Sequence, residues 1–167
     1  IGASDSYVVS SNGTYNFTVF DKAGNSKVVS YAVSNIDLTA PGKPTIDLST
    51  AAWTNGNVTF TIIPGTDSQS GVAYTQYQID GGAWTNYTGV VTISTNGKHV
   101  INARTTDNVG WTGVTETKTA SIDKVVPTAG ISVNTSWTNA TSVAATLTAS
   151  DADSGLSNVK YQLSGAT

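Results

Sequence analysis

The chain contains no cysteine and no methionine, and only one histidine, one glutamate and four prolines in 167 residues. Without cysteine there is no disulfide framework, no thiol nucleophile and no thiolate metal site. The lone histidine, His99, has no second imidazole or thiolate to share a zinc ion. It falls on the inward phase of a strand pattern and is expected to be a partly buried packing residue. Charge is sparse, 11% of residues with a net of −3. Eight scattered Lys and Arg form no basic patch, so nucleic acid is not an expected partner. No apolar run is long enough to span a bilayer, and no signal-peptide pattern is visible. Membrane insertion is therefore not expected either. No segment carries a helical stripe of apolar residues.

What the chain does have is a repeat. Trp53-Thr54-Asn55 returns as Trp137-Thr138-Asn139, and Asp67-Ser68-Gln69-Ser70-Gly71 as Asp151-Ala152-Asp153-Ser154-Gly155. Asn12-Gly13 returns as Asn96-Gly97, Asp21-Lys22-Ala23-Gly24 as Asp107-Asn108-Val109-Gly110, and Ile36-Asp37 with Pro41 as Ile122-Asp123 with Pro127. The spacings are 84 or 86 residues. A period of this length is a small domain rather than a solenoid turn. The organisation expected is a C-terminal half-repeat over residues 1–40, a complete repeat over 41–124, and an N-terminal half-repeat over 125–167.

Within the repeat the apolar residues alternate. Tyr15, Phe17 and Val19 do so, as do Val58, Phe60 and Ile62, and Val143, Ala145 and Leu147. Such segments read as strands with one buried face and one Thr-rich wet face. Asn12-Gly13, Ala23-Gly24-Asn25, Asp80-Gly81-Gly82, Asn96-Gly97 and Asn108-Val109-Gly110 read as turns between them. Phe60, Ile62, Tyr77, Ile79 and Ile101 are the predicted core. With the tryptophans aligned, Phe60 falls on Ala144, so the inward phase slips by one residue. A bulge or an offset in a neighbouring turn is expected to absorb the slip. Pro41, Pro44 and Pro127 mark short, stiff linkers.

The run Tyr77-Gln78-Ile79-Asp80-Gly81-Gly82-Ala83-Trp84, followed by Asn96-Gly97-Lys98-His99, Asp107-Asn108-Val109-Gly110, Ile122-Asp123 and Pro127, resembles bacterial immunoglobulin-like tandem repeats. Asn12-Gly13-Thr14-Tyr15 with Asp21-Lys22-Ala23-Gly24-Asn25 is similar to the same pattern. The resemblance covers nearly the whole chain. It implies an all-β fold of tandem immunoglobulin-like, or fibronectin-type-III-like, antiparallel β-sandwiches in a large surface or secreted protein. It implies no catalytic residues, and the fold by itself names no ligand.

The best chemical candidate is the acidic loop with Asp151 and Asp153. Alternate carboxylates on a loop suit calcium, which takes six to eight oxygens. Asp123 in the preceding linker and Asp107 in a hairpin are expected to add ligands. In the middle repeat Gln69 replaces the second Asp, leaving Asp67 with Asp37 and Asp21 at an expected weaker site. The competing reading is that these Asp residues only shape turns by side-chain to backbone bonds. Trp84, Tyr87 and Trp111 would offer stacking faces for sugar rings if they share an exposed face.

The function expected is therefore structural, not enzymatic. The chain reads as a unit of a bacterial extracellular filament, surface stalk or adhesin. The alternative is a carbohydrate-binding or accessory module of a secreted enzyme. No cofactor is required, and calcium at a joint is the one candidate. The expected partners are further copies of the same unit, with surface glycans as the alternative ligand. A C-terminal half laid before an N-terminal half makes one full repeat, either covalently in a longer chain or between separate subunits.

Overall fold

In the computed structural model the described residues are 4–162 and 164–165. The outer ends of the two expected half-repeats, residues 1–3 and 166–167, and position 163 lie outside them. The described residues hold strands and no helix. The strands are β1 (Gly13–Phe20), β2 (Ser26–Val33), β3 (Thr45–Leu48), β4 (Val58–Ile63), β5 (Val72–Ile79) and β6 (Thr85–Asn86). They continue as β7 (Val91–Ile93), β8 (Gly97–Asp107), β9 (Glu116–Ile122), β10 (Thr128–Val133) and β11 (Ala145–Ser150). Every ladder between them is antiparallel.

Two sheets share one core in the middle of the chain. One has the order β3-β4-β7 and the other β6-β5-β8-β9. Ile46, Val58, Phe60, Ile62 and Ile93 from the first meet Ile101, Ala103, Ala120 and Ile122 from the second. Alternation along β4 puts Val58, Phe60 and Ile62 on the buried face, as the pattern requires. The Phe60 ring meets Tyr77 edge to face, with centroids 5.5 Å apart. Tyr77 and Ile79 are only partly buried, at the margin of this core. The result is an all-β, sandwich-like two-layer unit.

On either side lies a two-stranded hairpin, β1-β2 before it and β10-β11 after it. The β10-β11 register repeats that of β3-β4, and in β1-β2 the pair at the hairpin tip repeats its counterpart. In β3-β4 the inward pairs are Ile46↔Ile62 and Leu48↔Phe60. In β10-β11, Ile131↔Leu147 and Val133↔Ala145 stand in the same places after a shift of 85 residues. The slipped phase is thus absorbed by one extra residue before the strand and one fewer after it. At the other hairpin Phe20↔Ser26 repeats Thr106↔Thr112.

Two of the Asn-Gly pairs are not hairpin turns. Gly97 opens β8, whose predecessor β7 belongs to the other sheet. Asn96 Oδ1 accepts from the Lys124 amide at 2.7 Å. Asn12 does likewise for the Ile36 amide and also donates to the Ile36 carbonyl. Each Asn clamps the chain where it leaves its repeat. Above each clamp an aromatic side chain bonds back to the chain four residues earlier. Tyr15 Oη donates to the Ser11 carbonyl at 2.6 Å, and His99 Nε2 sits 3.1 Å from the Thr95 carbonyl.

Candidate metal centre

The joint before the middle unit is built on three carboxylates. Asp37 lies in the linker after β2, Asp67 in the loop after β4, and Asp107 at the end of β8. One oxygen from each lies within 4.8 Å of the other two. Each Asp also organises its own loop. Asp67 Oδ1 accepts from the amides of Gln69 and Gly71, at 3.1 and 2.7 Å. Asp107 Oδ1 accepts from the amides of Val109 and Trp111, both at 2.9 Å. Asp37 accepts from the Thr39 amide on Oδ1 and from the Ser70 amide on Oδ2. These bonds are turn-shaping, as short acidic side chains favour.

They do not use every oxygen. Asp107 is only 2% exposed, and its Oδ2 is buried with no hydrogen-bond partner. A buried carboxylate oxygen without a donor is costly unless a cation meets it. No salt bridge among the described residues reaches Asp37, Asp67 or Asp107. The Asp37 carboxyl is held down at about 2, first by the neighbouring Ser70 side chain and then by the Thr39 amide. The Ser70 hydroxyl favours the charged form without completing a well-aligned hydrogen bond. Asp37 therefore stays ionised throughout the neutral range.

Oxygens no more than 4.8 Å apart can all contact one ion, because calcium–oxygen distances are about 2.3–2.6 Å. The donor set is hard and anionic, which suits calcium better than a softer metal. The backbone around it is tightly packed. Gly42 donates its amide to the Thr66 carbonyl at 2.9 Å. A Cβ at Gly65 would collide with the Gly42 carbonyl, and one at Gly113 with the Pro41 carbonyl. The Pro41-Gly42 linker runs between two glycines that leave room for it.

The joint after the middle unit repeats two of the three carboxylates. Asp123 accepts from the Val125 amide on Oδ1 and from the Ser154 amide on Oδ2, as Asp37 does from Thr39 and Ser70. Asp151 Oδ1 accepts from the Gly155 amide at 2.8 Å, as Asp67 does from Gly71. The Ser154 side chain and the Val125 amide hold the Asp123 carboxyl below its ordinary value. Asp153 turns to Asn96 instead, accepting from its Nδ2 at 2.7 Å.

Sequence order groups Asp107 with Asp123, Asp151 and Asp153, but the structure brings it to Asp37 and Asp67. The reason is the length of β8. Its 11 residues carry the chain roughly 33 Å, from the second joint to the first, at about 3.3 Å per residue. Asp107, and not Asp21, is the third carboxylate beside Asp37 and Asp67.

The three aromatic candidates have different surroundings. Trp84 is covered by the Arg104 guanidinium, 4.1 Å from the ring centroid. Tyr87 packs against the core. Trp111 is half exposed at the first joint, where its Nε1 donates to the Asp37 carbonyl at 3.3 Å.

No protein-family model and no curated protein matches this chain.

Asp37 and Asp67 join the site through tertiary packing. The sequence signal for them was the offset of 86 residues linking Asp21 to Asp107, which makes the two hairpin tips equivalent positions in different copies.

Proposed function

We propose that this chain is a structural tandem-repeat unit of a bacterial extracellular filament, surface stalk or adhesin. Its units are immunoglobulin-like β-sandwiches set head to tail. Calcium at the joints stiffens the array. The observation that carries this reading is the joint itself. Three carboxylates converge there, one of them buried with an oxygen that no protein donor meets. Two of the three recur, with the same backbone partners, at the next joint. Repetition at joints is what an array needs, and a catalytic site does not require it.

A structural role also accounts for the sparse charge and the Thr-rich wet faces. Extracellular modules commonly bind calcium with Kd near 10⁻⁴–10⁻³ M, a range that suits a few carboxylates on rigid loops. The glycan-binding alternative draws no support from the aromatic rings, because Trp84, Tyr87 and Trp111 form no common platform.

Small-angle scattering of the dilute chain, held monomeric as checked by its forward scattering, in calcium and in chelator tests the reading. Calcium is expected to narrow the distribution of interatomic distances and extend its maximum, as joints lock. A distribution unchanged by calcium, or one that contracts, contradicts a stiffening role.

A further inference from the structure

The first joint has three carboxylates from one chain, whereas the second has two. The missing partner is present elsewhere in the same chain, at the tip of β1-β2. Asp21 Oδ1 accepts from the amides of Ala23 and Asn25, at 2.9 and 2.8 Å. Asp107 Oδ1 makes the same pair of bonds to Val109 and Trp111. The backbone closes identically, Asp21 amide to Asn25 carbonyl and Asp107 amide to Trp111 carbonyl. Gly24 and Gly110 both take positive φ, 90° and 96°, which a side chain at either tip would resist. Asp21 thus repeats the Asp107 turn, but its Oδ2 accepts from Asn25 Nδ2 at 2.7 Å, where Trp111 leaves the Asp107 Oδ2 without a partner.

Among the described residues Asp21 bonds only within its own hairpin tip. The base of β1-β2 is clamped beside the first joint by the paired bonds between Asn12 and Ile36. Its tip lies eight residues of strand farther out, roughly 26 Å at about 3.3 Å per residue. The second joint lies on the other side, across the length of β8. There, Ser154 and Gly155 line an open groove with Asp123 and Asp151. At the first joint the corresponding carbonyls of Ser70 and Gly71 are filled by the Asn108 side chain, next to Asp107. Lys22 holds the Asn108 position beside Asp21 and brings donors of its own.

The sheet faces agree with this assignment. Ile131, Val133 and Leu147 form an exposed apolar face on β10-β11, and Phe17, Val19, Val29 and Tyr31 form one on β1-β2. Their counterparts in the middle unit, on β3-β4 and β8-β9, cover each other across the core.

We propose that the Asp21 hairpin tip of a second copy completes the carboxylate site begun by Asp123 and Asp151, so that a divalent cation governs head-to-tail joining. The inference rests on the calcium reading of the first joint. It applies whether the second copy is continuous with this chain or separate from it.

Sedimentation velocity of the 167-residue chain, with calcium chloride as the probe and chelator as control, tests it. Wild type is expected to pass from monomer to concentration-dependent multimers when calcium is added. Asp21→Asn alone and Asp151→Asn alone should each remain monomeric, because each lacks one half of the junction. Mixed together, they should form a dimer and nothing larger, since one intact tip then meets one intact groove. Multimers of either variant alone, or a mixture that stays monomeric, would overturn the proposal. Association of wild type that persists in chelator and is lost in Lys22→Asn would overturn the cation's part in it. Calorimetry on Asp21→Asn separates the two readings. Calcium bound there at one site per chain keeps the first joint as a metal centre whatever the sedimentation shows.

Discussion

The hairpins β3-β4 and β10-β11 carry the same cross-strand pairs, yet one is buried and the other is open. Ile46 is 2% exposed, whereas its counterpart Ile131 is 72% exposed. The same contrast separates β8-β9 from β1-β2. Ala103 is fully covered, and Phe17, its counterpart by the 86-residue offset of the hairpin tip, is 43% exposed with the Tyr7 ring edge-on to it. Local pairing is therefore encoded within each hairpin, while burial is supplied by the half-repeat that faces it. Isolated two-stranded hairpins are marginal in water, and on the head-to-tail reading proposed above the next copy would supply that cover.

The largest expected effect breaks the contrast at the core. Phe60→Ala should cost about 3–5 kcal/mol, as for other buried aromatic truncations. Phe17→Ala, on the open face, should leave the melting of the calcium-free monomer nearly unchanged. Denaturant titration of the two variants checks both. Similar losses in both would mean that the outer hairpin is already covered within one chain.

A second effect sharpens the contrast at the joints. Ser150 and Lys27 stand where the middle unit has Gly65 and Gly113. The first joint needs those glycines because the Pro41 and Gly42 carbonyls approach their backbones closely. Gly65→Ala is expected to destabilise by about 1–3 kcal/mol, the usual cost of overpacking. A shift in melting temperature is the readout. A neutral result would show that the linker moves aside readily.

The smallest effect concerns the aromatic side chains above the two Asn clamps, Tyr15 over Asn12 and His99 over Asn96. His99 Nδ1 lies 2.7 Å from Asp80 Oδ2, and this bond raises the His99 pKa against the opposing effect of burial. The same bond, followed by the Val100 amide, lowers that of Asp80. The His99 contribution is complete below about 6.5, its unfolded value, and is lost as pH rises through the raised folded value. The Asp80 contribution is complete above the ordinary carboxyl range and is lost as pH falls through its lowered value. The pair is thus strongest between those limits. Asp80 is about half exposed, so the effect is about 0.2–1 kcal/mol. His99→Phe should flatten the alkaline side of a plot of melting temperature against pH, and an unchanged slope would remove the pair from the account.

Much of the fold was legible in the sequence. The alternation of Val58, Phe60 and Ile62 marks β4 and its buried face, and the repeat locates both outer hairpins. The one-residue slip between Phe60 and Ala144 was visible, but only the strand register shows it resolved as Ile62 on Leu147. The Asn-Gly pairs misled because Asn12 and Asn96 use their side chains as clamps, which composition does not distinguish from a turn. The carboxylate cluster was the least legible part. Asp107 lies close to Asp123 in sequence and a strand's length from it in space. The clue was the 86-residue offset that makes Asp107 the counterpart of Asp21 at a hairpin tip, since that tip lies at the far end of β8 from Asp123.

The most direct test of the central claim is calorimetric titration of calcium into the intact chain and into Asp107→Asn, paired with thermal melts. The account predicts one site in dilute wild-type monomer. At a calcium concentration about 100 times Kd, stabilisation of the middle unit should be about 2.7 kcal/mol. Both the heat and the stabilisation should be absent in Asp107→Asn. No heat in wild type, with melting unaffected by chelator, would contradict the account and leave the three carboxylates as turn-formers alone.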